Sequence, residues 1–134
     1  MNIELEFVAR LILGFILSGF VGLEREVSLK PAGLRTHILV GLSSTLLTIL
    51  SIDAFPGSDP ARVAAAIIIG MGFVGAGTIL KTGERVIGLT TAATLWTVVS
   101  IGVAIGVGYY LLAIVVTALG VLVLKLSIFE RPHR

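Results

Sequence analysis

Gly70-Met71-Gly72-Phe73-Val74-Gly75-Ala76-Gly77-Thr78 is the stretch whose reading decides the fold. Its glycines at 70, 72 and 75 spell a dinucleotide-binding pattern. That pattern works only where a strand leads in and a helix N-terminus follows, so that backbone N–H groups meet a pyrophosphate. Here an Ala- and Ile-rich approach from Arg62 to Ile69 leads in, and Ile79-Leu80 continues apolar. The same residues suit a membrane-spanning helix whose missing side chains let neighbouring backbones come close. The context favours the membrane helix.

Composition agrees. Of 134 residues, 56% are hydrophobic and only 13% charged, more apolar surface than a water-soluble chain of this length can hide. A single domain is expected. Cysteine is absent, which excludes disulfides, thiolate metal sites and cysteine nucleophiles. A net charge of +2 gives no nucleic-acid signature. Met1-Asn2-Ile3-Glu4-Leu5-Glu6 has neither a basic leader region nor a small-residue cleavage site, so the first apolar segment is expected to persist as a helix.

Charged and breaker residues cut the chain into five apolar segments at residues 7–23, 36–52, 62–80, 89–107 and 109–128, each near the ~20 residues a span requires. Backbone groups in lipid must be satisfied internally, so each is predicted helical, giving an all-α polytopic bundle with lipid bilayer around it. Asp59 is placed to cap the third helix, with Pro60 in its first turn. Gly106-Val107-Gly108 separates the last two helices, and Tyr109-Tyr110 suits a membrane interface. Five spans put Arg25, Lys30, Arg35, Lys81, Arg85, Lys125, Arg131 and Arg134 on one side, leaving Arg10 and Arg62 on the other. The positive-inside rule makes the first side cytoplasmic, with the N-terminus outside and the C-terminus inside.

Gly19-Phe20-Val21-Gly22 recurs as Gly72-Phe73-Val74-Gly75, and Gly33-Leu34-Arg35-Thr36 is echoed by Gly88-Leu89-Thr90-Thr91. Helices 1–2 and 3–4 are therefore expected to be parallel-repeat hairpins, with helix 5 an addition.

The candidate functional residues are charges near spans, which are costly in lipid, and polar or small faces. Glu24, Arg25 and Glu26 end helix 1 and Arg35 and Thr36 open helix 2; they read as an ion-pair network that sets topology or as a cluster whose carboxylates Glu24 and Glu26 meet a hydrated cation. Arg10 is paired with Glu6 at helical spacing. Arg62 is expected to pair with Asp59 or a neighbouring acid. His37 stands alone, without the partners a metal site needs. Thr90, Thr94 and Thr97 share a helical face near Thr91, serving packing or a polar path. Trp96 is expected to pack on the Gly72–Gly77 surface. Gly19, Gly22, Gly70, Gly72, Gly75, Gly77, Gly102 and Gly106 are the expected helix-packing positions. Helix 3 is either continuous and central, drawing helices 1 and 4 together, or locally unwound to hold an ion. No catalytic constellation survives, so no enzyme and no cofactor are expected. The small-residue faces suit a homo-oligomer, most simply a dimer.

Gly22-Leu23-Glu24-Arg25-Glu26, Pro31-Ala32-Gly33-Leu34-Arg35-Thr36-His37, Asp59-Pro60-Ala61-Arg62, Gly70 to Thr78, and Gly88-Leu89-Thr90-Thr91-Ala92-Ala93-Thr94-Leu95-Trp96 together resemble the membrane domain of the MgtC/SapB family. The resemblance implies a bacterial inner-membrane protein associated with growth under magnesium limitation and, in some members, host survival. It also implies contact with a membrane complex such as the ATP synthase as a partner mode. Mg2+ is the ion it implies, though no residue spacing demands it. The chain is expected to lack the cytoplasmic C-terminal domain that many members carry. The competing expectation is transport of a cation or small solute through the repeat interface.

Overall fold

The computed structural model describes residues 2–126. It comprises α1 (Ile3–Val27), α2 (Leu34–Asp53), α3 (Ala61–Gly77), a hairpin of β1 (Leu80–Thr82) and β2 (Arg85–Ile87), α4 (Leu89–Gly106) and α5 (Tyr110–Lys125). The all-α membrane bundle is thus the architecture. α1, α2 and α4 are long and apolar enough to cross a membrane, while α3 and α5 are shorter apolar helices. α3, with 17 residues, rises about 26 Å, at the short end of what a span needs. The far end of the fifth predicted segment, Ile128, and the basic residues Arg131 and Arg134 lie outside the described residues.

α1 begins with Glu4 and Glu6 in its first turn and ends with Arg25 in its last, charges that complement the helix dipole at both ends. The third predicted segment is shortened. α3 stops at Gly77, and Leu80, expected as the last residue of that span, opens a strand. Leu80 pairs with Ile87, Lys81 with Val86 and Thr82 with Arg85. Gly83, with φ +63°, occupies the first turn position, as a two-residue hairpin linking right-twisted strands favours. At Gly88, φ is +89° and an added Cβ would overlap Thr78 O, so only glycine closes this loop onto α4.

α4 is the central helix, touching all four others; α3 is peripheral, packing on α4 and only lightly on α2. This corrects the expectation that α3 lies between helices 1 and 4. α3 is, however, continuous through its glycines. The core follows α4: Leu95, Val98, Val99, Ile101 and Ile105 are buried there against Leu17 and Val21 of α1, Met71 of α3, and Ala113 and Leu124 of α5. In lipid, apolar burial gives little drive between helices, so close backbone approach carries the packing. Gly102 and Gly106 of α4 abut Ser44 and Thr48 of α2, and Gly14 of α1 abuts Thr45.

The two hairpins share a contact that supports the repeat. A Cβ added at Gly22 would stand 2.9 Å from the Cβ of His37, and one added at its counterpart Gly75 would stand 3.6 Å from the Cβ of Ala92. His37 and Ala92 each lie four residues beyond the paired glycines Gly33 and Gly88.

Candidate functional site

One end of the bundle gathers the last turn of α1, the 28–33 loop and the first turns of α2 and α4. The loop turns sharply: Leu29 and Ala32 adopt φ of +53° and +56°, sparsely populated for residues with side chains. It is held there by Ser28 N–H to Glu24 O (3.0 Å), Leu29 N–H to Glu26 O (3.1 Å) and Lys30 N–H to Arg25 O (3.0 Å). Glu26 Oε2 accepts Leu34 N–H at 2.9 Å, supplying a partner for one of the free donors that open α2.

Arg25 points inward. Its side chain is 5% exposed and that of Glu24 11%, with Arg25 Nη1 3.7 Å from Glu24 Oε2. Glu24 Oε1 accepts Ser28 Oγ–H at 2.8 Å. Arg25 Nε and Glu24 Oε2 are buried without a hydrogen-bond partner among the described residues. The two carboxylates of the 24–26 cluster thus have separate engagements, and no set of three His, Asp or Glu among the described residues forms a metal cage. Arg35 is exposed and Thr36 half-buried; both line a polar cleft with Glu26 and Gly33.

His37 is fully buried. Its Nδ1–H donates to Gly33 O at 2.9 Å, and Nε2 lies 3.1 Å from Thr94 Oγ1, a hydroxyl whose one proton is shared between Nε2 and Thr91 O at 2.7 Å. Thr91 Oγ1 reaches Pro31 O at 3.4 Å. His37, Thr91 and Thr94 thus tie the loop, α2 and α4 into one buried polar layer. This corrects the expectation that His37 stands alone. Its position four residues beyond Gly33, matching Ala92 beyond Gly88 in the repeat, is the sequence signal for a place on the packed side of α2.

Thr90, Thr94 and Thr97 do share a face, lining a cleft of about 190 Å³ between α4 and α5 with Ala93 and Gly120. Thr97 Oγ1 donates to Ala93 O at 2.9 Å, bonding its own helix as in a packing face, while Thr94 also reaches His37 across to α2. Trp96 is 44% exposed and borders an open groove with Gly72, Gly75 and Ala76, so it meets the glycine surface without covering it. A second hydroxyl stripe, unremarked in the sequence, runs down α2 as Ser44, Thr45 and Thr48, each donating to a carbonyl of its own helix. Gly41-x-x-Ser44-Thr45-x-x-Thr48 carries the helical period that would have revealed it.

The expected packing glycines divide. Gly22, Gly102 and Gly106 are held tightly, Gly75 makes ordinary contact and Gly19 meets only the side chain of Ile38 at 3.7 Å. Gly70, Gly72 and Gly77 have nothing within 4 Å of an added Cβ, correcting their assignment to contacts within the chain. A helix has no preferred side until its neighbours are placed, and α3 sits at the edge.

At the opposite end, Asp59 Oδ1 accepts Ala61 N–H at 2.9 Å, but Pro60 rather than Asp59 occupies the N-cap position of α3. Arg62 is exposed and forms no ion pair among the described residues, contrary to the expected pairing with Asp59. Arg10 does more than its local pairing suggests. It binds Glu6 and also donates from Nη1 to Gly106 O at 2.6 Å and from Nε to Tyr110 OH at 2.9 Å. It thereby caps the C-terminus of α4 and joins α1 to the α4–α5 turn. Arg10→Ala is expected to lower stability by about 1.5–3 kcal/mol, the worth of a charge-assisted hydrogen bond, measured as a lower melting temperature in detergent. An unchanged melt would reduce the clamp to a surface contact.

These features define an integral membrane protein of closely packed apolar helices with a buried polar layer at one end. The chain belongs to the MgtC family, whose profile matches residues 11–131. It is 44% identical over 128 residues to a protein of Escherichia coli strain K12 named putative magnesium transporter YhiD, covering 90% of this chain and 60% of that one. It is 43% identical over 117 residues to protein SapB of Bacillus subtilis strain 168, covering 81% of this chain and 50% of the relative. Against protein MgtC of Brucella abortus strain 2308, identity is 42% over 118 residues, covering 88% and 48%. The chain therefore spans about half to three-fifths of the length of these relatives. No solved structure matches it.

Proposed function

We propose that this chain is a non-enzymatic protein of the bacterial inner membrane that serves adaptation to magnesium limitation, and in a pathogen host survival. It acts through helix contacts with itself and with other membrane proteins. The observation that carries this reading is the closed centre of the bundle. Leu95, Val98, Ile101 and Ile105 fill it, and the hydroxyls of Ser44, Thr45 and Thr48 are turned onto their own helix carbonyls. Magnesium enters through the names of relatives, and the ATP synthase is the partner class that the family resemblance suggests. The distribution of basic residues supports an outside N-terminus and a cytoplasmic C-terminus.

The second reading, transport of a cation or small solute, has the name of the Escherichia coli relative and the threonine-lined cleft between α4 and α5 in its favour. Flux in proteoliposomes of the purified chain separates the two. No saturable Mg2+ uptake above empty liposomes is expected. Saturable flux that disappears in Glu24→Gln or Glu26→Gln would overturn the contact reading in favour of transport.

A further inference from the structure

α5 lies in the groove between α1 and α4. Under the internal repeat, α1 corresponds to α3 and α4 to α2, so the counterpart of that groove lies between α3 and α2. It is open: a cleft of about 570 Å³ lined by Leu39, Ser43 and Leu47 of α2 and Ala66, Gly70 and Val74 of α3. The correspondence holds residue by residue. Pairing Gly19 with Gly72 sets Leu17 and Val21 against Gly70 and Val74, and pairing Gly33 with Gly88 sets Val98 against Ser43. Leu17, Val21 and Val98 belong to the core cluster that includes Ala113 and Leu124 of α5. Their counterparts face the open groove, so its shape is that of a seat for a membrane helix.

Ala66 and Gly70 line the groove on α3, and the seam they begin continues past its edge and indicates which helix. Ala66, Gly70, Phe73 and Gly77 fall at successive spacings of four, three and four, a single seam along α3. All four are exposed; Gly70 and Gly77 meet nothing within 4 Å, and Phe73 is 85% exposed. Bulky apolar residues facing lipid are ordinary, but small residues there leave backbone uncovered. A large ring between two glycines on one seam is both knob and hole, the self-complementarity an isologous contact needs. Copies inserted in one orientation relate by an axis along the membrane normal, which brings equivalent helices together in parallel.

We infer that a second copy of this chain docks here, α3 against α3, with Phe73 of each copy entering between Gly70 and Gly77 of the other at the mouth of the α2–α3 groove. The inference rests on the reading that the protein associates with itself, and supplies the surface. It also gives Gly70 and Gly77 a role that the single chain leaves vacant.

Single-cysteine variants test it in membranes holding the full chain, whose natural sequence contains no cysteine. Oxidative cross-linking is expected to give at least fivefold more dimer from Ala66→Cys, Gly70→Cys, Phe73→Cys and Gly77→Cys than from Gly72→Cys and Ala76→Cys, which border the Trp96 groove on the adjoining face of α3. Maxima at 72 and 76, or at Leu112 and Leu119 of α5, would overturn the surface while leaving self-association intact. Monomers by single-molecule photobleaching together with no cross-linked dimer at any position would overturn self-association itself. Gly70→Leu provides an independent check, because its side chain has open space in the monomer. It is expected to reduce the dimer at least tenfold with helix content unchanged; an undiminished dimer would also overturn the proposal.

Discussion

Gly102→Leu is expected to prevent α2 and α4 from docking and to lower the melting temperature in detergent by roughly 10 °C or more. A Cβ at this position would overlap Ser44 Oγ and stand 2.8 Å from Gly41 O and 3.0 Å from Ser44 Cβ. Overpacking a tight core costs about 1–3 kcal/mol when side chains can shift. Here one of the opposing atoms is a backbone carbonyl, which cannot rotate aside, so the upper end of that range or beyond is expected. Two comparisons make the result specific. Gly72→Leu, on the open side of α3, should leave the melt unchanged, and Ser44→Gly should partly rescue the smaller Gly102→Ala by removing two of the three contacts. A wild-type melt for Gly102→Leu would mean that the α2–α4 contact is not the tight seam of the bundle.

The contrast between Gly102 and Gly72 shows where sequence reading reaches its limit. Five helices were legible because the signals are local: apolar runs of spanning length, a Pro60 start, and a Gly106–Gly108 break confirmed by φ of +91° at Gly108. Inside a membrane, however, lipid-facing and protein-facing sides are both apolar, so periodicity does not say which side of α3 is covered. Eight glycines were assigned to packing, and only the neighbours separate Gly102, against Ser44, from Gly70, against nothing. The same holds for Arg10. Its pairing with Glu6 is local and was read correctly, but Gly106 and Tyr110 lie 96 and 100 residues away. Leu80 was misassigned for a different reason. Ile79-Leu80 is apolar enough to extend a span, yet Gly77 ends the helix and the Gly83 turn brings Leu80 to Ile87 in a hairpin.

At the basic end, charge was legible and its burial was not. Glu24, Arg25 and Glu26 read as a helix-end ion-pair network or a cation-meeting cluster, and neither reading foresees that Arg25 is 4% exposed and that its Nε finds no partner among the described residues. Removing one member of a buried pair strands the other charge and costs about 3–5 kcal/mol, whereas replacing both by apolar groups of similar volume is often neutral. Glu24→Leu is therefore expected to destabilise the chain by about 3 kcal/mol by that reasoning, because Arg25 has no hydrogen-bonded alternative. Arg25→Met should cost less, about 1 kcal/mol, because Glu24 keeps its bond to Ser28. The double variant should melt within about 1 kcal/mol of the natural chain. Its orientation should persist, since Lys30, Arg35, Lys81 and Arg85 remain on the same side. A buried ion pair that stability does not require is a natural place for a group that serves the proposed function. The double variant is accordingly expected to fold yet fail to restore growth at low magnesium to a strain lacking the gene. Growth equal to that supported by the natural chain would reduce the pair to a dispensable filling of the core, whereas a stable, correctly inserted and inactive double variant would place the buried Glu24–Arg25 pair among the groups by which the protein acts.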